Sequence, residues 1–546
     1  MVKKILGNKE QPYFGLKGKW LTFWITVACA TDMSLFGYDQ GVFSGVVISK
    51  DYLDVHDLVG PSKINTLSII TSIYTIGCFL GALGAFSIGE RLGRKKTIVL
   101  GTAVMTVGAI LQTSSFSVPH MIVARIVTGI GNGINTATAP VWQTETSKVS
   151  NRGKLVVFEM SMNIFGFMLS NWVNYGLSYV GGSIAWRLPL AIQLVFCAIL
   201  FSTVPWLPES PRWLIAHGRH EEASVILADL QDKPVGDAII IAERQEIIFS
   251  VEYERKHAVR WRDLVRGRAT AGTNTVRRLL LGVGSQAFQQ LGGINVMSYY
   301  LPTLLKQSVH LEDKMARLIA ALASVSYLFA SLIAAPFVER FGRRKMMLIS
   351  TLIQLICFIL LTVLLYYTEK PGYPFQTEVA KASVVWFFLY YMGFGLGMLG
   401  IPWLYPTEIN SLPMRTKGAA VATMTDWITN FLVVEITPIG ITNLGWRFYI
   451  IWAVVNAVAL PVIWAFFPET ANRTLEDLDA YYRDNPPLLV IKDKDATCVR
   501  RPQKFVLAHD RDVEQAAAAA AGGTLSRRSV HENATNEKSS SDEKVM

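Results

Sequence analysis

The chain has 546 residues, of which 51% are hydrophobic and only 17% are charged. Soluble globular proteins carry about 25% charged residues, so this composition excludes an ordinary soluble protein. The formal net charge of +10 does not indicate nucleic-acid binding, because the basic residues lie in short segments between apolar stretches. The 5 cysteines form no CxxC pair, and neither a disulfide framework nor a metal site is predicted.

Twelve apolar stretches, each long enough to cross a bilayer as a helix, follow one another along the chain. The first six cover residues 20–46, 65–88, 97–115, 118–142, 155–180 and 188–207. The second six cover residues 279–304, 316–338, 344–367, 383–405, 418–440 and 445–467. We therefore predict an all-α membrane protein with twelve transmembrane helices in two six-helix halves, at residues 20–207 and 279–468.

Three polar segments complete the predicted organisation: an N-terminal tail at 1–19, a central loop at 208–278 and a C-terminal tail at 469–546. No apolar core precedes Trp20, so the first span rather than a cleaved signal peptide is expected to direct insertion. The central loop contains helical patches such as HEEASVILADL. The C-terminal tail is hydrophilic and ends in an alanine run followed by polar residues, so we predict that it is largely disordered.

Basic residues collect in the loops on one side of the predicted bundle. These short loops are Gly89–Lys96, Ser147–Lys154, Glu339–Lys345 and Pro413–Gly418. Loops on the opposite side, such as DYLDVHDLVGPSK, are acidic or nearly uncharged. Because basic loops face the cytoplasm, both termini and the central loop are expected to be cytoplasmic.

The two halves repeat each other's sequence. The segment Glu90–Lys96 recurs as Glu339–Lys345, WLPES recurs as FFPET, and a Glu and an Arg seven apart after Pro and Trp occur in both halves. Three matches in the same order, at a nearly constant offset, indicate an internal duplication. Duplicated halves with a site between them are typical of membrane transporters.

The seventh span contains several carboxamide side chains at membrane depth. Carboxamides in hydrocarbon cost several kcal/mol each unless they find partners or line a wet cavity. Asn295 lies well round the helix from the others and joins them only if Gly292 and Gly293 let the helix unwind. We predict a site for a neutral, hydroxyl-rich solute here, with helix–helix contact as the alternative, formed by Gln286, Gln289, Gln290 and Asn295.

Seven motifs give the chain a family resemblance over residues 20–480: FGYDQGV, GERLGRKK, PESPR, QQLGGIN, ERFGRRK, PWLYPTEI and PETANRTLEDLD. With these motifs the chain resembles the sugar porters of the major facilitator superfamily, and most of all fungal proton-coupled sugar transporters. The resemblance implies a twelve-helix bundle that carries one monosaccharide or polyol by alternating access, often together with a proton.

The resemblance also implies a set of substrate-binding residues. The sugar ligands would be Gln289, Gln290 and Asn295, with Trp403 as a stacking platform and Asn430 as a supporting polar group. Three positions depart from the family pattern. Met160 and Tyr327 stand where a glutamine and an asparagine are usual, and Asp426 stands where Asn or Gln is usual.

Two ionisable residues inside the first and fourth spans are candidates for proton coupling. Asp39 lies within the first span, where a carboxylate is costly, and Arg125 in the fourth span is the evident partner. We predict that protonation of Asp39 releases Arg125 and lets the helices rearrange, with a static ion pair as the alternative. Further acids within spans are Asp32, Glu159 and Asp426, and the sequence leaves their roles open.

Charged residues repeated in both halves lie where the spans meet the predicted cytoplasmic side. Single surface pairs contribute at most about 1 kcal/mol, so their duplication indicates another role. We predict latches between helix ends that hold the outward-facing state, with membrane topology alone as the alternative, formed by Arg91, Arg94, Glu145, Arg152, Arg340, Arg343, Glu408 and Arg415.

The sequence therefore predicts a plasma-membrane sugar transporter that carries a hexose or pentose with a proton. The alternatives are an uncoupled facilitator of a sugar or polyol and a non-transporting sugar sensor, against which the low-complexity tail argues. No P-loop, metal spacing or nucleophile–base pair is present, so no enzyme activity is predicted. The expected partners are the sugar, the proton and the lipid bilayer, without a cofactor, nucleic acid or obligate protein partner. Which sugar is carried stays open.

Overall fold

The N-terminal half consists of six long helices. The computed structural model describes residues 12–147, 152–257 and 274–507, and helices make up most of them. The six spans, with the short α2 between the first two, are α1 Gly18–Val46, α2 Lys50–Val55, α3 Ile64–Leu92, α4 Arg94–Thr113, α5 Val118–Thr146, α6 Arg152–Leu177 and α7 Ile184–Thr203.

In the described part of the segment between the halves there are three α-helices: α8 Pro211–Ala216, α9 His220–Gln231 and α10 Ala238–Lys256. Helix α9 confirms the helical pattern predicted for HEEASVILADL. The Ser210 side chain caps α8 by accepting the backbone N–H of Trp213. Lys17 Nζ lies 3.2 Å from Asp229 Oδ1 and joins the start of the first span to α9.

The C-terminal half repeats the six spans, but two of them are broken. Its helices are α11 Thr275–Leu291, α12 Ile294–Gln307, α13 Asp313–Phe341, α14 Arg343–Glu369, α15 Gln376–Leu396, α16 Ile401–Ile409, α17 Arg415–Leu444 and α18 Phe448–Phe466. Helices α11 and α12 form the seventh span, and α15 and α16 form the tenth. The prediction of twelve spans in two halves is confirmed. We call the end of the bundle where the described chain begins, at Pro12, and ends, at Leu507, the proximal end, and the opposite end the distal end.

The seventh span breaks at Gly292 and Gly293, as predicted. Gly293 has φ +94°, a left-handed conformation that favours glycine, and an added Cβ would lie 2.7 Å from the ring of Phe358. The break frees the carbonyl of Gly292, which accepts hydrogen bonds from Tyr390 Oη at 2.9 Å and Asn456 Nδ2 at 3.1 Å. Irregular backbone at membrane depth is thus satisfied by neighbouring spans.

The spans differ in how apolar they are. Within the described residues, eight helical stretches are long and apolar enough on their own to cross a membrane, and one of them, 412–466, holds both α17 and α18. The spans outside this set are the first, fourth and seventh. They contain Asp39, Arg125 and the carboxamides of α11 and α12. Polar residues that weaken a span in this way mark functional positions.

Close packing holds α1 inside the N-terminal half. An added Cβ at Gly37 would lie 1.7 Å from the backbone oxygen of Asn163, and one at Gly41 would lie 2.2 Å from Ser170 Oγ. Glycines of this kind let two membrane helices approach to backbone contact. Helices α1 and α6 therefore meet closely, which fixes the depth and direction of the α1 side chains.

The first part of the predicted C-terminal tail is folded. Residues 469–507 contain α19 Leu475–Arg483 and α20 Lys494–Thr497. Arg501 donates two hydrogen bonds to Asp477, at 2.7 and 2.8 Å. Burial raises the pKa of Asp477, but the hydrogen bonds and positive charge of Arg501, together with the hydrogen bonds to Thr474, outweigh burial and hold that pKa below its usual value. The prediction of a largely disordered tail is therefore wrong for residues 469–507, and residues 508–546 lie outside the described part.

Candidate functional site

Four polar side chains form a hydrogen-bonded chain beside the break in the seventh span. Gln290 Nε2 donates to Asp426 Oδ1 at 2.5 Å, and Asn295 Nδ2 donates to Gln290 Oε1. Gln40 Nε2 on α1 donates to Asn295 Oδ1 at 3.2 Å. We call these four residues the polar chain. It joins α1 of the N-terminal half to α11, α12 and α17 of the C-terminal half, so it lies between the two halves.

Gln289 ties the seventh span to the break in the tenth. Its Nε2 donates to the carbonyls of Met398 and Leu399, both at 2.7 Å, in the segment between α15 and α16. Several acceptor atoms around the polar chain are buried without a hydrogen-bond partner, namely Gln286 Oε1, Gln289 Oε1 and Asn430 Oδ1. Buried acceptors without partners are rare in proteins, and donors such as sugar hydroxyls would satisfy them.

The structure places a second tryptophan, besides the predicted Trp403, next to the polar chain. Trp427, next to Asp426, is fully buried, and its ring meets Phe36 of α1 edge-on with centroids 5.6 Å apart. Trp403 lies half-buried on α16, and among the described residues no hydrogen bond or ring contact joins it to the polar chain. The sequence analysis did not single out Trp427, whose position after Asp426 was the available signal.

Two positions that depart from the family pattern hold bulky, less polar groups. Tyr327 is 3% exposed and stacks on Tyr391, with ring centroids 5.0 Å apart. Met160 is buried and, with Ser161 and Ala334, lines a small cavity between the halves. These two positions therefore offer aromatic and apolar surface where an asparagine and a glutamine are expected.

Asp39 and Arg125 meet inside the N-terminal half. Arg125 Nη1 lies 3.5 Å from Asp39 Oδ1, and both side chains are fully buried. Arg125 Nη2 also donates to the carbonyl of Thr71 at 3.3 Å. The guanidinium lies 4.1 Å from the ring centroid of Phe43 and 4.3 Å from that of Tyr74. The predicted pairing is therefore present, at a long distance and away from water.

Asp39 holds a second, unused oxygen. Its Oδ2 is buried without a hydrogen-bond partner. Gln193 of α7 lies beside Asp39, and both polar atoms of its side chain are also without a partner. Only one oxygen of the carboxyl is thus engaged by Arg125, and the amide of Gln193 is placed to donate a hydrogen bond to the ionised carboxyl or to accept one from the protonated carboxyl.

The repeated charged residues pair within each half at the proximal end. Arg94 binds Glu145 with two hydrogen bonds, at 2.9 and 3.0 Å, in the N-terminal half. Arg343 binds Glu408 in the same way in the C-terminal half, at 3.2 and 2.9 Å. In this conformation these pairs join helices within each half and do not join one half to the other. Their role as latches that hold the outward-facing state stays a prediction.

Each of these ion pairs has a second glutamate beside it, which the sequence analysis did not assign. Glu209 Oε1 accepts the backbone N–H of Arg94 at 2.9 Å, and Glu469 Oε1 accepts that of Arg343 at 2.8 Å. Each carboxylate thus binds the first N–H groups of a span, where the helix dipole favours negative charge. The echo of WLPES in FFPET was the signal for both.

The remaining residues predicted for the latches are placed differently. Arg91 and Arg340 are exposed. Arg415 begins α17, and its side chain is engaged with other groups. Arg152 begins α6, but its side chain lies outside the described residues.

We expect Arg343→Ala to destabilise the protein and Lys345→Ala to have little effect. Arg343 is 5% exposed and binds both Glu408 and the more exposed Glu339, so its loss removes two ion pairs, at a cost of about 1–3 kcal/mol because the carboxylates are partly solvated. Lys345 follows two residues later and is exposed. Thermal unfolding of the purified protein in detergent measures the difference. Equal unfolding temperatures for the two variants would contradict the structural role of Arg343.

The family model of sugar (and other) transporters matches residues 24–482, which is most of the chain. The chain belongs to this transporter family. The MFS-type transporter oryC of Aspergillus oryzae is 64% identical over 515 residues, covering 94% of this chain and 95% of the relative. The sugar transporter STL1 of Saccharomyces cerevisiae is 36% identical over 487 residues, covering 86% of this chain and 83% of the relative.

A solved structure shares the fold of this transporter. The proton:xylose symporter XylE, bound to 6-bromo-6-deoxy-D-glucose, superposes with a TM-score of 0.70 at 27% identity. The match covers 84% of this chain and 99% of XylE. The resemblance to fungal sugar porters and the twelve-helix major facilitator fold are thus confirmed, and the transporter is an integral membrane protein.

Proposed function

We propose that this transporter carries a monosaccharide, a hexose or pentose, together with a proton across the plasma membrane. One observation carries the proposal: Asp39 and Gln40 are adjacent on α1. Asp39 binds Arg125 within the N-terminal half, while Gln40 binds Asn295 across the interface between the halves. A change of charge at Asp39 therefore acts on the same turn of helix that contacts the substrate site.

The chemistry of the polar chain supports a neutral, hydroxyl-rich substrate. The polar chain and the side chains around it consist of amides and one carboxyl, and several of their acceptor atoms have no hydrogen-bond partner. The positive charge of Arg125 is engaged by Asp39. In this conformation the polar groups bond to one another and are at most 7% exposed, apart from the half-buried Gln40. A sugar would replace these mutual bonds with bonds to its own hydroxyls. The names of STL1 as a sugar transporter and of XylE as a proton:xylose symporter agree with this class.

The halves are joined at the distal end, which supports alternating access. Arg317 Nη1 donates to the carbonyl of Gly45 at 3.0 Å, and Ser72 Oγ donates to Glu435 Oε2 at 2.5 Å. Both bonds link a residue of one half to a residue of the other. With the termini in the cytoplasm, as we propose, this conformation is closed to the outside.

A sequence of events follows from this arrangement. Return of the empty transporter to the outward-open state separates the halves at the distal end and carries Gln40 away from Asn295. There Asp39 takes up a proton from the outside, which removes its charge and weakens its hold on Arg125, and sugar binds the polar chain. The halves then rejoin at the distal end, and release of the proton and the sugar to the cytoplasm restores the ion pair. The transported sugar and the proton thus cross in the same cycle.

One observation favours uncoupled transport instead. The guanidinium of Arg125 rests between the rings of Phe43 and Tyr74, so cation–π contacts hold it even without Asp39. A guanidinium held in this way leaves the ion pair static. The transporter would then only equilibrate its substrate, and Asp39 would serve the structure alone.

Uptake of a panel of radiolabelled hexoses, pentoses and polyols into a transporter-null host tests the proposal. We expect accumulation of at least one sugar above its external concentration, and a protonophore should reduce it to equilibration. Uptake of every substrate only to equilibration, unchanged by the protonophore, would establish the uncoupled alternative.

The proposed orientation can be tested with cysteines at the two ends. Val59 is 59% exposed in the loop after α2, at the distal end, and Cys498 is a partly exposed free cysteine in the folded tail. A membrane-impermeant maleimide should label Val59→Cys in intact cells. It should label Cys498 only after permeabilisation, and the Cys498→Ser variant controls for other sites. Labelling of Cys498 in intact cells would reverse the orientation.

A further inference from the structure

Two carboxyl groups inside the N-terminal half have no partner for any of their oxygens. Asp32 on α1 is 2% exposed, and Glu159 on α6 is fully buried. Both oxygens of each carboxyl lack a hydrogen-bond partner, and the mechanism above uses neither residue. Among the described residues, neither carboxyl makes an ion pair. Four orphaned carboxyl oxygens at membrane depth need a physical explanation.

The two carboxyls lie near each other, on the proximal side of the Asp39–Arg125 pair. Ser34 Oγ donates to the carbonyl of Met162 at 3.1 Å, so α1 and α6 meet within one turn of both carboxyls, and the carboxyls are close enough to interact electrostatically. Asp32 precedes Asp39 by seven residues on α1, which is about 10 Å along the helix axis. The polar and titratable groups that face them are, besides each other, Cys29 of α1, Asn135 of α5, Cys197 of α7 and, more distantly, Asp39.

A third hydrogen-bond acceptor, the amide oxygen of Asn135, lies beside the two carboxyls and adds to the shortage of donors there. Asn135 lies beside Asp32 and can offer it at most one N–H, because its Nδ2 also donates to Thr102 Oγ1 at 3.2 Å. Its Oδ1 is buried and, like the carboxyl oxygens, has no partner. Ionised carboxylates and an amide oxygen are all acceptors, so they cannot satisfy one another. A proton on a carboxyl supplies the missing O–H donor.

The alternatives to a proton fit less well. Two carboxylates charged side by side in an apolar interior repel each other and lose hydration. A metal cation of the hard kind takes six or more oxygen ligands, and the described residues hold no group of three or more metal-binding side chains. A proton needs only one donor oxygen and one acceptor.

We propose that Asp32 and Glu159 form a second proton-binding site, between the Asp39–Arg125 pair and the proximal end of the bundle. One proton binds to either carboxyl and is shared with the other, and it leaves as a proton, so no covalent bond other than O–H forms or breaks. Proton binding at this pair stands on its own. Its use as a station between Asp39 and the cytoplasm rests on the proposed proton coupling.

Infrared spectroscopy of the purified full-length transporter tests proton binding directly. Protonated buried carboxyls absorb in a separate C=O region, and their band disappears when they ionise. We expect the wild type to show this band at neutral pH, and the Asp32→Asn, Glu159→Gln double variant to lose most of it. The band that the double variant loses should remain in Asp39→Asn. This result would show that the band belongs to Asp32 and Glu159 and not to Asp39. Met160→Leu controls for a change beside Glu159.

The single variants keep the test decisive if the double variant fails to fold. Asp32→Asn and Glu159→Gln each leave one carboxyl, so each should change the position or the pH midpoint of the band. A band that is absent from the wild type, or unchanged in all three variants, would overturn the proposal. A band that shifts with sodium concentration at constant pH would also overturn it, in favour of a metal cation.

A transport measurement then tests the role as a station. In the double variant, substrate counterflow should stay within about twofold of wild type, while sugar-driven proton uptake should fall at least tenfold and change its pH profile. Unchanged proton uptake in the double variant would show that the transported proton does not pass through this pair, even if the infrared band shows that the pair binds a proton. If wild type itself moves no protons with sugar, the proposed coupling fails, and the infrared result still decides the binding site.

Discussion

Asp39→Asn is expected to abolish accumulation of sugar against a gradient while leaving counterflow exchange in place. Asparagine matches the protonated carboxyl in shape and charge, but it cannot take up or release a proton. The variant therefore stays in the state that the protonated protein visits. Accumulation ratios in cells should fall to one, and the pH dependence of uptake should disappear. Counterflow in proteoliposomes measures the exchange that remains.

Loss of the carboxylate also leaves Arg125 without its ion-pair partner, and this needs its own control. Removing one member of a buried pair costs about 3–5 kcal/mol of stability, because the other charge stays buried. The Asp39→Asn, Arg125→Leu double variant removes that charge as well. It should regain thermal stability but not accumulation. Recovery of accumulation in the double variant would show that Asp39 is a structural partner of Arg125 and not a proton carrier.

Gln290→Ala and Asn295→Ala are expected to weaken sugar binding strongly. Each removes a buried hydrogen-bonding group of the polar chain, at a typical cost of about 1–3 kcal/mol, or about a 5- to 150-fold loss of affinity. Gln307→Ala is a matched control, since it removes an exposed amide at the end of the same span. Apparent affinity for uptake, and the thermal shift that the sugar induces, measure the effect.

The two tryptophans can be compared in the same assay. Stacking of a sugar on Trp403 predicts weaker binding for Trp403→Ala, whereas Trp427→Ala removes the buried ring next to Asp426. Protein levels at the membrane should stay near normal for Trp403→Ala, because that side chain is only half-buried. Wild-type affinity in the Gln290, Asn295 and Trp403 variants together would show that the substrate binds elsewhere.

The spans and their breaks were largely predictable because they depend on local sequence. Runs of apolar residues identify membrane helices, and Gly292–Gly293 identifies the break in the seventh span. The duplicated motifs gave the two halves. The folded tail was not predictable in this way, since α19 is held by residues distant in sequence: Arg278 pairs with Asp479, and Asn274 Nδ2 donates to the carbonyl of Tyr482.

The site was only partly predictable, because some of its contacts join residues far apart in the sequence. The carboxamides of the seventh span stood out through their cost in hydrocarbon, and so did Asp39 and Arg125. Gln40 did not, since a single glutamine in a span has no local signal, and its partner Asn295 is 255 residues away. The choice between Trp403 and Trp427 likewise depends on how α16 and α17 pack.

The most direct test of the account is proton movement driven by sugar in proteoliposomes that contain only the purified transporter. Addition of a transported sugar to the outside, without an imposed pH gradient or membrane potential, should draw protons inward and raise the external pH. Asp39→Asn vesicles should exchange labelled sugar but give no such change. Sugar entry into wild-type vesicles without any proton movement would contradict proton-coupled transport.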